Sequence, residues 1–209
     1  MKTVENRFDI AAATWDKHTE RAERTRHFAK SIRSALPLNK GVRALELGCG
    51  TGNLAIELED SLGYILGLDS SKEMIKEFLL KISRLGLDDL DAVCADIMSN
   101  DLQGDFDLIY SAMALHHMDD IDGVLTRLYS LIAPGGRLLI IDLFCEDGSF
   151  HGSNPVPHNG FNPDTLEGWL HGKGFSGIEF TAINSIEKEL ESGEKRSFPL
   201  FMCTATKTQ

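Results

Sequence analysis

The chain has 209 residues, 42% of them hydrophobic, with 32 acidic against 21 basic side chains and a formal net charge of −11. That length fits one domain with a substantial buried core. The negative charge argues against nucleic acid as a partner, because the one basic stretch, 17–33, is interrupted by glutamates. Cys49, Cys94, Cys145 and Cys203 are far apart and lack CxxC spacing, which argues against a zinc site or a disulfide framework and fits a reducing, cytoplasmic setting. No apolar signal region follows Met1, and no run approaches the ~18 apolar residues of a membrane span, so no membrane association is expected.

Residues 5–38 precede the first strand. Phe8, Ile10, Ala11, Ala12 and Trp15 read as a short helix. A second helix is expected over 19–36, with Phe28, Ile32, Ala35 and Leu36 as its buried stripe and Pro37 ending it. The apolar run 42–47, interrupted only by Glu46, reads as a buried parallel strand. It stops at Gly48-Cys49-Gly50-Thr51-Gly52. Asn53 is then expected as a helix N-cap, with Leu54, Ile56 and Leu58 in a helical pattern behind it. A strand entering a helix through three glycines lets a ligand approach the backbone, since no Cβ intervenes, and presents backbone N–H groups to it. Such a turn cradles a nucleotide cofactor, with Thr51 serving only its geometry. A dinucleotide fingerprint needs GxGxxG and normally an apolar residue at position 46, whereas here the third glycine comes one residue early and Glu46 stands before the loop.

The next strand, 64–69, ends in Asp69, placed to take both hydroxyls of a ribose; the alternative for this acid is a solvated helix cap. Ser70 or Ser71 caps a helix to about residue 84, with Met74, Ile75, Phe78, Leu79 and Ile82 facing inward. Strands are expected over 92–96, ending in Asp96, and over 106–111, ending in Ser111. A helix over 121–132 presents Val124, Leu125, Leu128, Leu131 and Ile132, and the turn at Pro134-Gly-Gly136 feeds a fifth strand. A long polar loop, 146–161, carries Phe150, His151, His158 and Phe161. Asn162-Pro163 starts a last helix, and strands over 178–190 and 197–206 form a hairpin about 191–196.

Taken together, Glu46-Leu-Gly-Cys-Gly-Thr-Gly52, Gly67-Leu-Asp69, Ala95-Asp96, Phe106-Asp107, Ser111-Ala-Met-Ala-Leu-His-His117 and Leu131-Ile-Ala-Pro-Gly-Gly-Arg-Leu138 resemble the class I S-adenosylmethionine-dependent methyltransferases of the small-molecule type. The resemblance spans about residues 40–145, in order and at the family's spacing. It implies an α/β fold: a doubly wound, mostly parallel seven-stranded sheet in the order 3-2-1-4-5-7-6, the last strand antiparallel, with helices on both faces. It also implies a single domain, 1–209, divided into an N-terminal helical lid (1–40), a cofactor-binding core (41–145) and a substrate loop, helix and hairpin (146–209). Phe8-Asp-x-x-Ala-x-x-Trp15-Asp16 resembles the opening motif of the family's lid; the alternative is that these helices only cover the sheet edge.

The cofactor so implied is S-adenosyl-L-methionine. The backbone of Gly48, Cys49, Gly50 and Gly52 would line its methionine and ribose portion, with Glu46 toward the ammonium group. Asp69 would hold the ribose hydroxyls and Ser70 would lie near the adenine. Asp96 would accept from the adenine amino group, and Ile97 would offer a backbone N–H. Ser111 would lie beneath the methionine portion and Trp15 would close over it. Met74 would pack on the adenine or serve only the core.

His116-His117 looks like a metal pair. Adjacent helical residues point about 100° apart, however, and the pair belongs to the family's pattern without a metal, so a structural or cofactor-flanking role is expected and no metal. In the long loop, His158 is the first candidate to contact the methyl acceptor and take its proton, and His151 the second; the alternative for His158 is an exposed loop histidine making one backbone hydrogen bond. Ser111-Ala-Met-Ala cannot form the Pro-Pro-aromatic motif of nucleic-acid amino methylation, and the chain has no Pro-Cys pair for cytosine-C5 chemistry. A small-molecule acceptor remains, reacting through O, N, S or C, for a monomer or homodimer. The competing class is a non-catalytic sensor of S-adenosylmethionine or its demethylated product, or a subunit that supports a partner.

Overall fold

A computed structural model describes residues 7–99 and 102–208. Seven strands, β1 (Arg43–Leu47), β2 (Tyr64–Asp69), β3 (Leu90–Cys94), β4 (Phe106–Ala112), β5 (Ile132–Leu143), β6 (Phe175–Glu189) and β7 (Lys195–Lys207), form one sheet in the order β3-β2-β1-β4-β5-β7-β6. The pairs β1–β2, β2–β3 and β4–β5 are parallel, and β7 runs antiparallel to both β5 and β6. The strand order expected from the resemblance is the one observed. The helices around the sheet are α1 (Arg7–Ala11), α2 (Thr19–Ala35), α3 (Asn53–Leu58), α4 (Lys72–Leu85), α5 (Ile121–Leu131) and α6 (Pro163–Gly172). The chain divides into two compact units, Met1–Leu102 and Gln103–Gln209. No helix among the described residues is long and apolar enough to cross a membrane.

In the first unit, Ala44, Leu45, Glu46 and Leu47 of β1 are all buried, as a parallel strand covered on both faces requires. Phe28, Ala29 and Ile32 of α2 form its buried stripe. Ser71, and not Ser70, is the N-cap of α4: its Oγ accepts from Met74 N at 3.2 Å, and Gly86 ends the helix in the left-handed conformation. Met74, Ile75 and Phe78 are buried on this helix, whereas Leu79, expected inward, is 41% exposed. The stripe follows 71, 75 and 78, so residue 79 falls on its flank. Strand β3 begins at Leu90, ahead of the expected 92, because buried Leu90 pairs with Ile65; it ends at Cys94, leaving Asp96 beyond the ladder.

The second unit has β4 buried from Leu108 to Ser111. Asp120 caps α5 by accepting from Gly123 N at 2.9 Å, and α5 buries Val124, Leu125, Leu128 and Leu131. Asn162 caps α6 by accepting from Thr165 N at 3.2 Å, with Pro163 in its first turn. The β6–β7 hairpin closes where Leu190 N donates to Glu194 O at 2.8 Å.

Candidate active site

The glycine loop after β1 has Gly48, Gly50 and Gly52 all at positive φ, 71°, 53° and 76°. At Gly52 space demands glycine as well, since a Cβ would lie 2.1 Å from the Phe78 ring. Gly52 itself is the N-cap of α3, so Asn53 is not the cap expected of it. The Asn53 side chain is used elsewhere: its Nδ2 donates to Asp16 at 2.7 Å and its Oδ1 accepts from Lys81 at 2.7 Å.

Asp69 sits at the tip of β2 and accepts from Gly50 N through Oδ2 and from Ser71 N through Oδ1, each at 2.8 Å. It therefore ties the glycine loop to the start of α4, which a solvated cap would not do. Burial raises its pKa; the Ser71 and Gly50 N–H groups oppose that rise, and the charge of Asp9 adds to it. Glu46 is 3% exposed, and burial with the charges of Glu46 and Asp69 pushes the buried Cys49 thiol up. Ser70 is exposed and Met74 is buried. Asp96 is exposed and makes a local turn, accepting from Met98 N at 2.9 Å, while Ile97 is buried beside it.

Two aspartates dock the N-terminal segment on this framework. Asp9 of α1 accepts from Ser71 Oγ at 2.5 Å and Glu73 N at 3.2 Å, both at the N-terminus of α4, and these bonds hold its carboxyl below the ordinary range. Asp16 accepts from Thr51 Oγ1 at 2.7 Å and pairs with Lys81 Nζ at 2.5 Å. Burial works against that carboxylate, but the bonds from Lys81, Thr51 and Asn53 outweigh it and hold its pKa low. Thr51 is thus more than a turn residue. Half-buried Trp15 packs edge-on against Phe8, with centroids 6.0 Å apart, and lies under Arg21. A Cβ on Gly50 would reach 4.0 Å from both Trp15 Nε1 and Met74 Sδ. These two side chains therefore border the loop.

In the second unit, Ser111 is buried at the end of β4. Two residues on, Met113 has φ 57°, the one positive φ of a non-glycine among the described residues. This turn leads into a 3-10 turn, Leu115–His117. The expectation that His116 and His117 diverge does not hold: their ring centroids lie 4.0 Å apart. His151 joins them from the loop after β5, 5.0 Å from the His116 ring and 5.2 Å from that of His117. His116 Nδ1 meets Asp142 Oδ1 at 2.6 Å, both groups being buried. His158 lies outside this trio. Its backbone N–H donates to His116 O at 3.2 Å, its Nε2 faces Asp119 O at 3.4 Å, and its ring stacks on Phe161.

A family model described as a methyltransferase domain matches residues 44–136. An O-methyltransferase of Aspergillus nomiae, rstn1, is 32% identical over 174 residues, covering 76% of this chain and 75% of that one. The chain belongs to the class I S-adenosylmethionine-dependent methyltransferases. An uncharacterized methyltransferase of Schizosaccharomyces pombe is 29% identical over 144 residues, 60% of this chain and 50% of that one, so the chain spans half of that relative's length. The solved structure of Haemonchus contortus phosphoethanolamine N-methyltransferase 2, in complex with S-adenosyl-L-methionine, shares the fold. It has a TM-score of 0.72 at 19% identity, over 87% of this chain and 52% of that one.

Several polar residues of this methyltransferase escape a reading of its motifs. Asp9 lies within the Phe8–Asp16 pattern, but nothing in that pattern names its partner. Lys81 is one cation among several on an amphipathic helix, and Asp142 reads as one acid ending an apolar strand. Only the fold pairs them with Asp16 and His116.

Proposed function

We propose that this methyltransferase binds S-adenosyl-L-methionine in the first unit and transfers its methyl group to a small-molecule acceptor in the cytoplasm. The observation that carries the reading is Asp69 gripping the glycine loop at Gly50 N while still having acceptor capacity, since a carboxylate offers roughly four lone-pair sites. Asp69 takes the ribose hydroxyls. The backbone of Gly48, Cys49, Gly50 and Gly52 lines the methionine and ribose portion, and buried Glu46 balances the ammonium group. Ser70, Met74, Asp96 and Ile97 serve the adenine end. Trp15 is carried by a segment docked through Asp9 and Asp16, which closes over the cofactor as a lid and excludes water; residues 1–6 of the expected lid lie outside the described residues.

Methyl transfer from a sulfonium is an in-line displacement: the acceptor's lone pair forms the new bond to carbon as the carbon–sulfur bond breaks. The chain's own work is to position, dehydrate and, where the nucleophile bears a proton, deprotonate. His158 suits the last task. Asp119 O can only accept, so the contact at 3.4 Å favours the tautomer with Nε2–H and leaves Nδ1 a lone pair.

The test incubates the protein with S-adenosylmethionine carrying a labelled methyl group and pooled metabolites. Label in a small-molecule product is expected. Binding without any turnover would replace the enzyme by the sensor, and no binding would remove both.

A further inference from the structure

The cofactor contacts proposed above leave the three histidines of the second unit without a role, yet they converge from two separate segments. Each offers one ring nitrogen, and these three nitrogens all lie within 4.8 Å of one another. His116 is 1% exposed; among the described residues its Nε2 is buried with no hydrogen-bond partner, which is costly for a polar atom. Its other nitrogen is fixed. Asp142 accepts from His116 N at 3.2 Å and from Leu143 N at 2.7 Å, and its Oδ1 lies 2.6 Å from His116 Nδ1, a contact that favours the tautomer with the proton on Nδ1. In the neutral ring of that tautomer the Nε2 lone pair lies on the side away from Asp142.

The surroundings hold the trio in place. The left-handed Met113 sets the direction of the 115–117 turn, and its N–H donates to Ile141 O at 2.8 Å. Strain of this kind collects at functional sites. The loop bearing His151 is fastened at both ends. His158 N donates to His116 O, Arg196 pairs with Asp147 at 2.8 Å, and Phe150 packs on Phe198 at 5.1 Å.

We propose that His116 Nε2, His117 and His151 form a binding site for a divalent transition cation of the zinc class, with Asp142 orienting His116 from behind. An all-imidazole donor set selects zinc, cobalt or nickel over magnesium and calcium, which take oxygen ligands. Three protein nitrogens leave a position open for an oxygen ligand, the arrangement of a reactive and not a purely structural zinc site. A carboxylate on the far nitrogen of a ligating histidine fixes its tautomer and raises its basicity. Nitrogens on a tetrahedral ion with Zn–N of about 2.0–2.1 Å lie about 3.3 Å apart, so rotation of the half-buried His117 and His151 rings closes the set. While ligated, His151 is no base, which leaves proton transfer to His158. The competing use of the trio is a proton relay, which needs no ion.

The experiment uses the full chain without an affinity tag, its thiols blocked, dialysed against zinc alone and then cobalt alone. One equivalent of zinc per chain is expected, and cobalt should give the visible absorption of a tetrahedral nitrogen site. His117→Ala and His151→Ala, each checked for folding by circular dichroism, should abolish stoichiometric uptake, and Asp142→Asn should weaken it about 10–100-fold. His171→Ala, on the exposed face of α6, should leave uptake unchanged. Substoichiometric zinc at about 100 µM, or full uptake by the folded His117→Ala and His151→Ala proteins, would leave the trio a relay. The readout is metal content, so it stands whether or not methyl transfer is found.

Discussion

Asp69→Asn keeps the size of the side chain and replaces one carboxylate oxygen by an NH2 group. In the native protein the two oxygens accept from Gly50 N and Ser71 N at 2.8 Å each. An amide can satisfy one of these donors but opposes its own N–H to the other, and it loses the charge that strengthens bonds to ribose hydroxyls. A hydrogen bond to a charged group contributes about 1.5–3 kcal/mol, so loss of one such bond in the complex corresponds to about 10–150-fold weaker S-adenosylmethionine binding. Calorimetric titration at neutral pH measures this, with a thermal melt to confirm that the variant is folded. The pH dependence supplies a second arm. Burial raises the folded pKa of Asp69 above its ordinary 3.8, so the carboxylate is progressively lost as pH falls toward 3.8. Cofactor affinity of the wild type should weaken over that window, and the Asn variant should lack this component. For the free protein the sign is reversed: a raised carboxylate pKa favours folding at low pH, and that contribution is lost as pH rises through the folded value. A folded Asn variant that binds within about threefold of wild type, well under the tenfold that 1.4 kcal/mol represents, would refute the placement of the ribose.

Gly52→Ala should cost about 2–5 kcal/mol, from about 1–2 for a left-handed alanine and about 1–3 for overlap with Phe78; urea denaturation reads it, and Gly86→Ala, where a Cβ meets nothing, isolates the conformational part. The bonds from Ser71 and Glu73 hold Asp9 below 3.8. Its docking contribution is therefore present above pH 3.8 and lost as pH falls through the lower folded value. Trp15 fluorescence in a Trp169→Phe background should report that undocking, and Asp9→Asn should shift or remove the transition. Cys94 and Cys145 are exposed, whereas Cys49 and Cys203 are buried, and burial pushes the Cys203 thiol up to about 12. A thiol titration should therefore find the first two reactive in the native protein and the others only after unfolding.

The parallel strands were legible because each is a short apolar run closed by a turn signal. Leu45 and Leu47, Ile65 and Leu68, and Ile109 with Tyr110 all mark strands that must be covered on both faces. The glycine loop was legible for a different reason: local backbone geometry at positive φ needs glycine, and such a demand is written at the position itself. Where local signals competed, the reading slipped. Asn53 has the chemistry of an N-cap, but a left-handed Gly52 takes that place and frees the amide to join Asp16 to Lys81. Leu79 shows the same limit, because hydrophobicity alone does not tell the centre of a helical stripe from its flank.

The amino-acid sequence by itself determined the family, the strand-by-strand frame and the acid at the tip of β2, since all of these rest on neighbours in the chain. Only the tertiary structure decided which polar groups meet. Asp9 reaches Ser71 across 62 positions, Asp16 reaches Thr51 across 35 and His116 reaches Asp142 across 26. His116 and His117 also show why spacing misled: the angle per residue, about 100° in an α-helix and about 120° in the 3-10 turn that forms here, fixes only where side chains leave the backbone, and the two rings meet beyond it. Whether a polar side chain is spare or engaged depends on partners brought in by folding, and no local pattern encodes that.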